Sequence, residues 1–380
     1  MRNLIEKNLY LNDFVRGIAM CRYNKKVKNF INKTSVIDSI CNYKEFKNCI
    51  DNFSKVYNGG IFSTKRAFSE SLLYGHINEL FAYGNLPEKD FLYFPIMEHG
   101  IQFYMQTKRN YPPRIFQGDY FLDAWRKEYP GNPYYTIGPY IHYARPYYSE
   151  EKTEKLKKEF GKTLLVFPSH AYELCESKYD ASQFVSYVMD RLAKDYSTVM
   201  VCAYWADLDD DIYNLFRARG AKIISAGFRG DLNFIRRLRT IIELSDCVVA
   251  NALGTFLGYA VYLDKPVIMI DGNVINDIQD MSVSTQMEDL LRSTEKQFMI
   301  AFSPDNQNDK QKQSTLCEPY WGFKNIKTPD EIKAIYEVNK KVIKRSRGNI
   351  RKMGSAAKKI YENSKSSDIQ RKVLKEALGK

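Results

Sequence analysis

The chain has 380 residues, 44% hydrophobic and 14% aromatic, which is enough to bury a sizeable core and long enough for two domains rather than one. That composition excludes disorder as the default state, and no stretch approaches the roughly 20 consecutive apolar residues of a membrane span. The formal net charge of +12 is unevenly placed: residues 340–380 hold 14 Lys or Arg against three acidic residues, a local +11 that leaves +1 for residues 1–339.

A nucleic-acid enzyme spreads its basic residues around a cleft, so this distribution argues against nucleic acid as the partner. The basic end is expected to be a solvated helix or frayed terminus, or else a segment drawn to anionic lipid headgroups. Each basic residue near such a surface contributes about 1 kcal/mol. The opening "MRNLIEKNLYLNDF" lacks the apolar centre and small-residue cleavage site of a signal peptide, so a cytoplasmic protein, peripheral at the inner face of the membrane, is expected. Seven scattered cysteines form no Cys-x-x-Cys pair, and no His stands at metal-ligand spacing. Reduced thiols and no structural zinc follow.

In chain order, the first elements are helical stretches, "IEKNLYLNDFVRGIAM", "YKEFKNCIDNFSKVY" and "RAFSESLLYGHINELFAYG". "DFLYFPIMEHGIQFY", Asp90 to Tyr104, reads as a buried strand-like run interrupted by Glu98, His99 and Gly100. "PRIFQGDYFLDAWRKEYPG" reads as strand, loop and helix, and "PYYTIGPYIHYARPYYS" follows. These predict a first α/β domain over residues 1–148, ended by a Pro, Tyr and Gly cluster and the charged "SEEKTEKLKKEFGK".

From Thr163 to Ile270 one pattern repeats: a short run rich in Val, Ile or Leu, a polar loop, then a stretch of helical length. The runs "TLLVFP", "STVMVCAY", "AKIISAG", "DCVVAN" and "PVIMID" predict five parallel strands. "ASQFVSYVMDRLAKD", "DDDIYNLFRARG", "DLNFIRRLRTIIELS" and "GTFLGYAVYLDK" predict the crossover helices, with Gly220 ending the second and Asp231 capping the third. Strands alternating with such helices argue for a Rossmann-like domain over residues 149–325. Residues 326–380 then read as a basic helical tail that opens on a Thr-Pro cap.

Ligands of an open parallel sheet bind outside the carboxyl ends of its strands, where helix amino termini and free amides converge. This rule selects Ser169, His170 and Tyr172 after the first strand, Tyr204 and Trp205 after the second, Phe228 and Arg229 after the third, and Asn251, Ala252, Leu253, Gly254 and Thr255 after the fourth. An aromatic pair suits a base, and the small-residue turn Ala252–Thr255 suits a phosphate. The ordinary alternative for that turn is close packing at Gly254. No G-x-G-x-x-G and no Walker motif occurs. The acidic "ADLDDD" lies where carboxylates stabilise a helix start, so no metal is expected. His76 and His142 read as packing residues, and Ser169-His170 lacks a G-x-S-x-G elbow.

"LSDCVVANALGTFLGYAVYLDKPVI" resembles the donor side of GT-B glycosyltransferases and of CDP-glycerol glycerophosphotransferases. "FPIMEHGI" resembles the amino-terminal His-Gly loop of such enzymes, and "YTIGPYIHYA" resembles the segment entering the second domain in bacterial surface-polysaccharide transferases, sialyltransferases among them. The resemblance implies two Rossmann-like α/β domains facing a cleft, with the donor on the second and the acceptor on the first. It also implies Thr255 and its turn at the donor phosphate, and His99 as catalytic base. The chain departs from these groups in four ways: "GTFLGYAVYLDK" has no ribose-binding Glu, Ala250–Gly254 replaces Thr-Asp-Tyr-Ser-Ser, His99 stands where the sialyltransferases have an acidic residue before Gly, and His170-Ala171 replaces their His-Pro.

An imidazole titrating near neutrality suits the removal of a proton from an acceptor hydroxyl. Glu98 would orient or replace His99, and Gly100 would admit the acceptor; the alternative for His99 is a core histidine at a strand end. The expectation is an inverting, metal-independent glycosyltransferase. It takes a nucleotide sugar as substrate, CMP-linked as first choice, with no cofactor, and acts on a glycan or lipid-linked glycan acceptor. Its rivals are a CDP-glycerol or CDP-ribitol phosphotransferase and a non-catalytic nucleotide- or glycan-binding scaffold.

Overall fold

The computed structural model describes residues 8, 10, 11, 14, 43–49, 74–98, 100–101, 113–128, 130–170, 175–205, 211–229, 231–272, 274–278, 285–363 and 366–380. It is an α/β fold with two parallel sheets, as the alternation of strands and helices predicts.

The smaller sheet has the order β1 (Ile96–Met97), β2 (Arg114–Phe116), β3 (Tyr134–Thr136), all parallel. Helix α1 (His76–Tyr83) precedes it, and α2 (Leu122–Glu128) connects β2 to β3. The long strand expected from Asp90 is not formed. Residues Glu88–Tyr93 make a 3₁₀ turn, and only two residues pair before Glu98. The cause is Pro95, which has no amide to donate and holds Phe94 extended at φ −95° and ψ 147°, so the turn ends there.

The larger sheet has the order β7 (Lys222–Ile224), β6 (Thr198–Cys202), β4 (Thr163–Phe167), β8 (Cys247–Ala250), β9 (Val267–Met269), and every pair in it is parallel. Each strand falls within one of the five predicted runs. Because β4, β6 and β7 extend one way and β8 and β9 the other, the sheet is doubly wound, with its switch point between β4 and β8. Strand interiors are buried throughout, as parallel sheets covered on both faces require.

The crossovers are α4 (Ala181–Tyr187, continued by a π turn over Val188–Leu192), α5 (Asp211–Ala218), α6 (Phe234–Leu244) and α7 (Thr255–Tyr262), with α3 (Glu150–Phe160) leading in. Asp231 does not cap α6. Its carboxylate accepts the Asn233 amide at 2.9 Å and meets Arg237 at 2.7 Å, in an ion pair whose side chains are 1% and 0% exposed. The sequence pattern had no counterpart for the antiparallel ribbon of β5 (Cys175–Lys178) and β10 (Ile275–Ile278), which joins the stretches after β4 and β9.

The two units share a continuous seam. Gly118 and Tyr120 donate their amides to the carbonyls of Tyr320 and Pro319, both at 3.0 Å. These acceptors lie in α9 (Lys310–Trp321), which follows α8 (Thr285–Ala301). Side chains of α6 hold the crossing strand of chain: Arg239 donates to the Ala144 carbonyl at 2.6 Å, Arg236 to that of Pro146 at 3.1 Å, and Thr240 accepts the Tyr147 amide at 2.8 Å.

Residues 326–380 form α10 (Pro329–Ser346), α11 (Met353–Tyr361) and α12 (Asp368–Ala377). A Thr328–Glu331 capping box starts α10. On their apolar faces Ile332, Ile335, Val342, Ala357 and Val373 are at most 1% exposed. Helix α10 packs on the 3₁₀ turn and α12 on β3. The basic segment is thus a three-helix cover on the first unit, with its charges on the outer side. Among the described residues no helix is long and apolar enough to cross a membrane.

A Cβ at Gly258 would lie 2.1 Å from the buried indole of Trp321, so α7 approaches α9 too closely for any side chain. Gly258→Ala is expected to destabilise the protein by about 1–3 kcal/mol through overpacking. The check is urea unfolding, where the midpoint falls and the m-value does not change.

Candidate functional site

At the switch point, Asn251 follows β8 directly and is 0% exposed. Its Oδ1 accepts the Ser169 amide at 2.6 Å, which ties the loop after β4 to the loop after β8. Among the described residues its Nδ2 has no partner. The Tyr179 hydroxyl donates to the Ser169 carbonyl at 3.0 Å and holds the same loop from the other side.

Ala252, Leu253, Gly254 and Thr255 are half-buried, and Thr255 opens α7. The turn is packed from below: Phe256 stacks on Phe167 at 4.1 Å, and the Trp321 indole donates to the Thr255 carbonyl at 3.0 Å. Gly254 is required by that packing, since a Cβ there would meet the Phe256 ring at 2.4 Å. The close-packing account of Gly254 therefore holds, while the amide-rich start of α7 still sits at the strand ends.

Beside the turn, His170 stacks on Tyr204 with ring centres 3.7 Å apart and planes 9° from parallel. Trp205 packs edge-on to Phe228 at 4.7 Å, and the Arg229 guanidinium lies 5.5 Å from the Trp205 ring. Phe228, expected among the donor contacts, is a core residue instead, 1% exposed in the cluster that lies under β4, β6 and β8. The chain turns inward after Gly227, whose φ of 105° suits glycine, and this carries the next side chain down. Tyr172 and the acidic run over residues 206–210 lie outside the described residues.

The first unit contributes its β1 corner. His99 lies outside the described residues; Glu98 and Gly100 flank it. The Glu98 carboxylate is engaged by the buried Arg114 guanidinium, which also lies 4.4 Å from the Trp125 ring. Gly100 has φ 89°, a left-handed conformation in keeping with a sharp turn. The Glu98 carbonyl accepts the Tyr140 hydroxyl at 2.7 Å, and the Tyr140 amide points to Gln117 Oε1 at 3.4 Å. The Tyr259 hydroxyl of α7 faces the Gln117 side chain. Burial pushes both tyrosines well above the ordinary phenol pKa, so they remain neutral hydrogen-bonding groups. Buried polar groups thus connect the β1 corner to Tyr140 and Gln117, and the Tyr259 hydroxyl of α7 lies next to them without a hydrogen bond of its own among the described residues.

The two histidines read as packing residues do pack: His76 lies against Tyr140, and His142 Nδ1 meets the Tyr262 hydroxyl at 2.7 Å. Two surface pockets, of about 560 Å³ beside Lys344 and about 410 Å³ beside Lys222, lie away from these strand ends.

Sequence reasoning missed Glu295. This residue of α8 brings a carboxylate oxygen to 3.5 Å from the Leu253 amide. No motif marks it, because it lies 42 residues from the loop it meets. Burial, with Asp271 nearby, raises its pKa.

These features define a doubly wound α/β protein with aromatic side chains and the amino terminus of α7 at its switch point. No family model matches the chain, and no curated protein matches it. Among solved structures, UDP-GlcNAc 2-epimerase from Neisseria meningitidis bound to UDP-GlcNAc aligns over 80% of this chain and 82% of that one, at 13% identity and TM-score 0.33.

A raised carboxyl pKa means that the folded state favours the neutral acid. The stability Glu295 contributes is therefore present below its unfolded pKa and is lost as pH rises through its folded pKa. Glu295→Gln keeps the shape without the charge. Its melting temperature is expected to rise relative to the parent as pH goes from about 4 to about 8, with the two curves meeting at the acid end. A pH series of thermal melts reads this directly.

Proposed function

We propose that the protein is a nucleotide-sugar-dependent glycosyltransferase of GT-B-like organisation. In this reading the donor base stacks at the His170–Tyr204 pair, and its phosphates rest on the amides of Ala252–Thr255. The observation that carries it is the coincidence, at one switch point, of a preformed aromatic platform, a helix amino terminus and the buried Asn251 amide. Asn251 Nδ2 is free to donate to a donor oxygen, and Glu295 faces the same loop as a candidate acceptor for ribose hydroxyls.

His99 is assigned as the base that takes the acceptor's proton, Gly100 as the point of acceptor approach, and Arg229 with the α7 amides as stabilisers of the departing phosphate. Inversion follows if one base and one attack suffice. The acceptor is a glycan or lipid-linked glycan, and the outward-facing charges of α10–α12 hold the enzyme near an anionic membrane surface. CMP is the first choice of donor nucleotide.

A thermal-shift series with CMP, CDP, UDP and GDP tests the donor. A ligand bound only by the folded form raises the melting temperature in proportion to RT ln(1 + [L]/Kd). The expected result is a shift with one nucleotide that His170→Ala and Asn251→Ala both abolish; no shift with any of the four would remove the donor site. His99→Ala is expected to lower kcat by about 10²–10⁴-fold and to leave the nucleotide-induced shift intact. A response to CDP-glycerol alone would move the assignment to phosphotransfer.

A further inference from the structure

The basic C-terminal helices border an open surface pocket of about 560 Å³ lined by Lys341, Lys344, Arg345, Ile360, Asn363 and Ser366, its three cations exposed. The three cations stand at i, i+3 and i+4 on α10 and so share one face, where like charges repel. Elsewhere this cover pairs its cations with carboxylates: Lys340 with Asp90 at 2.6 Å, Lys372 with Glu331 at 2.7 Å and Lys327 with Glu376 at 2.8 Å. Among the described residues no carboxylate lines the pocket, and Lys344 and Arg345 have no carboxylate partner.

The rest of the wall suits an anion. Lys341 Nζ donates to Gln370 Oε1 at 2.7 Å, and Gln370 Nε2 donates to Glu337 at 2.6 Å, which fixes the direction of that ammonium. Gln370 is itself buried, 8% exposed. Asn363 and Ser366 add polar groups at the turn into α12, whose N-cap is Ser367, so the positive end of that helix lies next to the pocket. Arg371 donates to the Asn363 carbonyl at 3.4 Å and so covers the opposing end of α11.

We propose that this pocket binds a phosphate monoester or pyrophosphate group, supplied by a lipid headgroup or by a soluble anion. The lipid source rests on the membrane-facing reading above, whereas the pocket itself does not. A carboxylate-free cluster of two or three converging donors matches a phosphate's oxygens, and Arg345 can engage it in a bidentate manner.

The full chain is tested in two arms: calorimetric titration with inorganic pyrophosphate, and flotation with vesicles in which phosphatidic acid or phosphatidylserine supplies equal charge. Lys344→Ser with Arg345→Ser is compared with Lys358→Ser with Lys359→Ser, which removes equal charge from exposed positions on α11 outside the pocket. The pocket pair is expected to weaken binding roughly 30-fold, as for the loss of two basic residues near an anionic group, and the control pair only a few-fold.

Preference for phosphatidic acid assigns the lipid source, and saturable pyrophosphate binding without that preference assigns the soluble one. Equal weakening by both pairs, or failure of both arms, would overturn the pocket. The nucleotide-induced thermal shift is expected to be the same in all variants, so failure here is separate from failure of the transferase reading.

Discussion

Parallel pairing is the constraint on which everything else in this molecule depends. Parallel strands cannot be joined by a short hairpin, so each must return through a crossover, and every carboxyl end then falls at the same edge. That edge gathers Ser169, Tyr204, Arg229 and Asn251 from four separate stretches of chain. The Asn251 side chain closes the arrangement by accepting the Ser169 amide just past the paired ends of β4 and β8. The side chain that ties the loops together also keeps its Nδ2 without a partner among the described residues.

The second organising feature is the seam between the sheets. It joins backbone hydrogen bonds and buried tyrosines to a hydrophobic core that is continuous across both sheets. Carbonyls of Pro319 and Tyr320 accept amides from Gly118 and Tyr120, where a Cβ on Gly118 would lie 2.1 Å from the Pro319 oxygen. Hydrogen bonds of this kind fix direction as well as distance, and a misplaced partner leaves a buried polar group unsatisfied. The Tyr140 hydroxyl, donating to the Glu98 carbonyl, and its amide, directed at Gln117, hold the β1 corner against the segment that crosses to the second sheet.

The C-terminal helices show how composition and placement can part company. The +11 charge of residues 340–380 reads from the sequence as an appendage, yet the same residues carry apolar stripes that bury Val342, Ala357 and Val373. Helical periodicity separates the two roles, with one face closing the fold and the other presenting Lys344 and Arg345 to solvent. Net charge alone does not show which face packs.

What the sequence determined by itself is what local pattern encodes. Short β-branched runs and intervening helical stretches specified five parallel strands, their crossovers and the loops that must meet at one edge, because period and turn chemistry act over a few residues. Tertiary structure decided the rest. Pro95 cut the predicted strand to two residues, Phe228 turned into the core, the β5–β10 ribbon joined segments about 100 residues apart, and Glu295 reached the turn from another helix. These outcomes depend on packing and on partners distant in the chain, which no local periodicity records.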